Sequence, residues 1–141
     1  MVEEKHYFTV AEANAMVPWL EQVFFRIMQL HRHIQSIFQR LSMTGNVPKS
    51  ENFSLNPPGA SPQLVDDLAT LKMLLDELKN QLVSILDRGV IVKDLETGLV
   101  DWYSQREGQD ILLCWRYGEK SVDYWHPLDT GIKGRRPIED M

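Results

Sequence analysis

The segment 112–137 gathers one thiol (Cys114), one imidazole (His126), three carboxylates (Glu119, Asp123, Asp129) and three guanidiniums (Arg116, Arg135, Arg136) among aromatic rings and glycines. Carboxylate oxygen and imidazole nitrogen are donors that suit zinc, iron or manganese, and the same groups move protons in acid–base chemistry. Glu119, His126 and Asp129 are therefore the first candidates for a metal or acid–base site. Their spacing argues against a complete one. If Glu119 lies in a hairpin turn and His126 near the far end of the next strand, they sit several residues apart along that strand, too far to share an ion. His126 and Asp129 can meet around the bend at Pro127, but two ligands leave a metal site incomplete. The sequence favours His126 as an anchor, bonded to a carboxylate or a backbone carbonyl. A divalent metal at His126 and Asp129 is the weaker reading, and no cofactor is expected.

Cys114 would act as a nucleophile if a base such as His126 lowered its pKa. It lies within Ile111-Leu-Leu-Cys-Trp, however, an apolar run in which a free cysteine behaves as a small buried hydrophobe. Arg135 and Arg136, with Lys133 and two glycines beside them, could hold a phosphate or carboxylate bidentately. Their spacing matches neither a P-loop nor a dinucleotide fingerprint. An arginine folded back onto Glu119 or Asp123 is at least as reasonable. With Arg116 and Trp125, these residues complete the ligand-binding candidates: Trp125, His126, Asp129, Arg135, Arg136, Glu119 and Arg116.

Two helices and a small sheet must position these groups. Thr9-Val-Ala-Glu12 has the form of a capping box. From it, Ala13, Met16, Leu20, Val23, Ile27, Leu30, Ile34, Ile37 and Leu41 follow a heptad spacing, which predicts a helix over 9–43. Pro18 falls inside it and predicts a kink or a short separate first helix. A second helix is expected over 61–88, capped by Ser61-Pro62, with a seam of Leu64, Leu68, Leu71, Leu75, Leu78, Leu82 and Ile85, and stopped by Gly89. The residues 44–60 between them read as a flexible tip loop. Val17, Phe24, His31 and Phe38 widen the apolar face of the first helix beyond what one partner helix covers, so either the sheet or a second copy must pack there. His31 and His33 are two apart and face different directions on a helix.

After Gly89 the hydrophobic period becomes alternating. Runs at 90–94, 99–104, 110–117 and 122–126, with turns at 95–98 and around Glu107-Gly108, predict a three- or four-stranded antiparallel meander over 89–128. The tail 129–141 is expected to wrap the sheet as a loop. The fold class is α+β, a long antiparallel helical hairpin followed by a small sheet, within a single domain of 141 residues.

Composition narrows the function classes. A net charge of −5 argues against nucleic acid as the main partner, because phosphate binding needs a concentrated positive face. The aromatic residues in the strands are thus read as core or cross-strand pairs rather than base-stacking platforms. No apolar run reaches the roughly 18 residues that a membrane span needs. The acidic N-terminus lacks the order of a signal peptide, and a lone cysteine cannot form an internal disulfide, so a reducing, cytoplasmic setting is expected.

The stretch from Phe8 to Pro18, two leucine-rich helices, Val100-Asp-Trp, Leu113-Cys-Trp-Arg-Tyr-Gly-Glu119, Trp125-His126, and Asp129 through Pro137 together resemble an uncharacterised bacterial family, domain of unknown function 2203. The resemblance covers nearly the whole chain and is most specific at the C-terminal motifs. Trp102 stands where phenylalanine is usual there, a conservative difference. The resemblance implies kinship without implying a reaction. The leading functional expectation is a non-enzymatic oligomeric interaction or scaffold protein, dimeric through Val17, Phe24, His31 and Phe38 and open to a further protein partner. The alternative is a small metal-binding protein or enzyme with a site around His126, Asp129, Glu119 and Arg135.

Overall fold

Helix α1 (Val10–Met43) begins where the capping box predicts. The Thr9 amide donates to Glu12 Oε1 at 2.9 Å and the Glu12 amide donates to Thr9 Oγ1 at 3.1 Å, so two otherwise orphaned amides are satisfied reciprocally. Pro18 lies within this one helix, and no separate first helix forms. Helix α2 (Pro62–Asp87) opens on Ser61, whose hydroxyl accepts from the Leu64 amide at 3.1 Å. It ends at Asp87, and Gly89 just beyond adopts the left-handed backbone (φ 84°) that releases a chain from a helix. The computed structural model describes residues 5–140, and no helix among them is long and apolar enough to cross a membrane.

Five antiparallel strands follow in sequence order: β1 (Ile91–Asp94), β2 (Leu99–Arg106), β3 (Gln109–Arg116), β4 (Tyr124–Pro127) and β5 (Arg136–Pro137). The fold is α+β, with one strand more than the sequence suggests. The addition comes from the tail, where a short 3-10 turn at Gly131–Gly134 reverses the chain so that Pro137 and Arg136 pair with Tyr124 and Trp125. A two-residue strand ended by proline carries no alternation to read, so the sequence pattern could not announce it.

The chain clusters into two compact units, one made of Met1–Phe24 with Val83–Met141 and the other of Phe25–Leu82. In the first, β2 and β3 present Val100, Trp102, Leu113 and Trp115 on one face, each fully buried. Phe24, equally buried, lies 6.3 Å from the Trp115 ring. Phe24 and Val17 were expected on a dimer face; in the folded chain they are buried, Phe24 beside the sheet, because their apolar stripe meets this unit's own core. Beyond the end of β1, the free edge of β2 is taken by the N-terminal segment. The Phe8 amide donates to the Tyr103 carbonyl at 2.8 Å, and Ser104 Oγ donates to the Phe8 carbonyl at 2.6 Å. Gly98 must be glycine: its φ is 71°, and a Cβ there would lie 2.6 Å from that of Tyr117.

The second unit contains the remaining parts of both helices and the connection 44–60, which forms neither helix nor strand. Its core is Ile34, Ile37, Leu41, Leu68 and Leu71, against which Phe38, Phe53, Leu64, Leu74, Leu75 and Leu78 pack while only partly buried. Arg26 forms a two-pronged pair with Glu77 across the helices, and Arg40 reaches Asp67 at 2.8 Å.

Asp67 is buried whereas Arg40 is half exposed. The hydrogen bonds from Arg40 hold the Asp67 carboxyl below the usual carboxylate range, with burial opposing. A depressed folded value means that the pair stabilises above the ordinary carboxylate pKa and that this contribution is lost as pH falls through the lowered value. Asp67→Ala should therefore cost roughly 1 kcal/mol at neutral pH, and less as the solution is acidified. Urea unfolding of both proteins at a series of pH values checks this.

Candidate functional site

The strand register decides which reactive groups meet. Directly opposed residues point to the same side of a sheet, and successive residues alternate. Asp101 on β2 faces Cys114 on β3, Cys114 faces Tyr124, and Leu112 faces His126 on β4. Asp101, Cys114 and His126 therefore share one face, opposite to the one bearing Trp102 and Trp115. One ligand atom from each of the three lies within 4.8 Å of the others. All three are sealed from solvent, at 1%, 0% and 2% exposure.

The imidazole is held at both nitrogens. Nδ1 is 2.8 Å from the Pro127 carbonyl, which can only accept, so Nδ1 carries a proton and donates it. Nε2 is 3.1 Å from Asp101 Oδ2. With the Nδ1 proton committed, a neutral imidazole would turn its Nε2 lone pair toward a carboxylate lone pair. A second proton must therefore lie between them, either on Nε2 as imidazolium or on the carboxyl as acid. Burial raises the Asp101 pKa, and the charge of His126 opposes that rise. Asp101 Oδ1 is buried without a hydrogen-bond partner.

Burial, reinforced by the Asp101 charge, pushes the Cys114 thiol up to about 12, while Arg135 pulls the other way. That shift favours the protonated thiol over the nucleophilic thiolate. Arg135 comes from the tail. Its Nη2 donates to Glu119 Oε1 at 2.7 Å, and its guanidinium sits 4.3 Å over the Tyr124 ring. The same Glu119 oxygen accepts from the Arg116 amide at 2.7 Å. Arg136 and Arg106 both approach the Trp125 ring, at 5.2 and 5.1 Å.

The expected residues thus separate into three groups. His126 engages Asp101 and the backbone, Glu119 and Arg135 pair with each other, and Asp129 lies exposed in the turn after β4. Arg116 and Arg136 are exposed, and Trp125 is buried. Asp101, the carboxylate that His126 meets, is not among those candidates. A signal existed for it: a two-residue turn at Glu107-Gly108 sets Arg106 opposite Gln109 and, counting back, Asp101 opposite Cys114. No such count reaches His126, because the irregular segment 117–123 separates β3 from β4.

Residues 6–138 match the family described as "Uncharacterized conserved protein (DUF2203)", and the chain belongs to that family. No curated protein and no solved structure matches it.

In buffer containing EDTA, Asp101→Asn should fold with little loss, since the amide can donate to Nε2 in place of the shared proton. Asp101→Ala should cost about 1–3 kcal/mol by leaving Nε2 buried and unpaired. A folded pKa raised by burial contributes stability fully below the ordinary carboxylate value and loses it as pH rises through the raised value. The native chain should show this loss as pH rises above the ordinary carboxylate range, and Asp101→Asn should lack it. Thermal melts of the three proteins across pH would expose the opposite order.

Proposed function

We propose that this chain is a non-enzymatic interaction protein that self-associates through the helical hairpin of its second unit. The observation that carries the reading is the thinness of that unit's core. Ile27, Leu30, Ile34, Ile37, Leu41, Leu68 and Leu71 are buried along the seam, while Phe38, Leu64, Leu74, Leu75 and Leu78 are only partly covered and Phe25 and Met73 are 54% and 72% exposed. Two helices cannot enclose side chains on both flanks of a seam, and pairing two hairpins into a four-helix bundle is the simplest way to cover them. Val17 and Phe24 drop out of the expected dimer face because the chain buries them itself, and the half-buried His31 and Phe38 remain. The coiled-coil spacing of both helices supports the same arrangement.

The non-catalytic part of the reading is supported by the sealing of the reactive groups. Asp101, Cys114 and His126 are no more than 2% exposed, so a substrate atom could reach them only if the unit opened. A reducing cytoplasm suits a single buried thiol. The acidic balance of the chain disfavours nucleic acid as the partner.

Sedimentation velocity over a wide concentration range should show a dimer. Leu74→Lys, which places a charge on a half-buried flank, should shift it to monomer without loss of helicity by circular dichroism. A native chain that sediments as a monomer at every concentration would sink the reading.

A further inference from the structure

We propose that Asp101, Cys114 and His126 form a zinc(II) site within the sheet of the first unit. The three side chains come from three adjacent strands and supply a carboxylate, a thiol and an imidazole, donor types that suit zinc. The Nδ1–H bond to the Pro127 carbonyl fixes the tautomer that leaves Nε2 as the metal-facing donor, an arrangement that accompanies metal-bound histidines. Nε2 and Asp101 Oδ2 stand 3.1 Å apart, close to the roughly 3.3 Å that separates two donors placed 2.0 Å from a tetrahedral zinc. Independently, Asp101 Oδ1 is buried in the same cluster with no hydrogen-bond partner, and it offers a further donor atom. Arg135 lies near Cys114 and favours its thiolate form, and its own charge is balanced by Glu119.

The exchange is electroneutral. Without metal, the site holds one proton on the Asp101–His126 contact and one on the Cys114 sulfur. Zinc taken up as the unit opens or as the chain folds displaces both, giving carboxylate, neutral imidazole and thiolate around a dication; two protons leave, and the net charge of the buried site is unchanged. A dry interior tolerates that exchange where it would resist a bare cation. The site is separate from the hairpin flanks that carry the self-association reading, so either can fail without the other.

The test is a zinc titration of the untagged, full-length chain with a non-thiol reductant, in competition with a chromophoric chelator and in weakly buffered indicator solution. One zinc per chain is expected, with protons released on binding and an affinity that rises with pH. Cobalt(II) should give tetrahedral visible bands with a thiolate-to-cobalt charge-transfer band, which Cys114→Ala abolishes. If that variant misfolds, the charge-transfer band of the native chain still decides the question. Metal bound without that band, without proton release, or equally well by a folded Cys114→Ala would place it on surface histidines such as His33 and overturn the proposal, as would no stoichiometric binding at all.

Discussion

The contact between Asp101 Oδ2 and His126 Nε2 ties β2 to β4 across the intervening β3. Neither group reaches water, and both must be satisfied by whatever lies between them. A proton or a cation in that gap turns two costly buried groups into a bond. This constraint fixes the height of β4 along β3, because a slip by one residue would turn His126 to the opposite face, beside Trp102 and Trp115. The Pro127 carbonyl then holds the imidazole plane at the point where the chain turns into the tail.

Once β4 is fixed, the tail has an edge on which to pair. β5 adds to β4, and Arg135 reaches over the Tyr124 ring to Glu119, which also holds the β3 end through the Arg116 amide. A single carboxylate thus joins the β3–β4 connection to the tail. The polar face of the sheet is accordingly held by specific directional bonds. The opposite face follows the ordinary logic of area burial, with two tryptophans and aliphatic side chains excluded from water.

The two units solve different problems. The sheet unit encloses its core and places its most reactive groups within it. The hairpin unit carries a seam only one layer deep, held by leucine and isoleucine contacts and by the Arg26–Glu77 and Arg40–Asp67 pairs. Both helices pass through both units, which explains why one unbroken heptad pattern along α1 serves two environments. Its first turns meet a sheet and its later turns meet one helix. The pattern states only that a face is apolar, not what covers it.

The sequence by itself determined the helices, their caps and most of the strands, since capping boxes, heptad spacing and alternation are written in neighbouring residues. Thr9 with Glu12, Ser61, Gly89 and the Glu107-Gly108 turn behave as local chemistry requires. It also offered His126 a carboxylate or a backbone carbonyl as partner, and the imidazole contacts one of each. What only the tertiary structure decided is the set of partners. Asp101 is 25 residues from His126, and the irregular segment between β3 and β4 hides their register. Asp129, much closer in sequence, turns to solvent. The physical reason is that backbone preferences are set within a few residues, whereas a buried charge finds its counterpart through strand pairing across the fold. That pairing sets His126 beside Asp101 and Cys114 rather than beside Asp129.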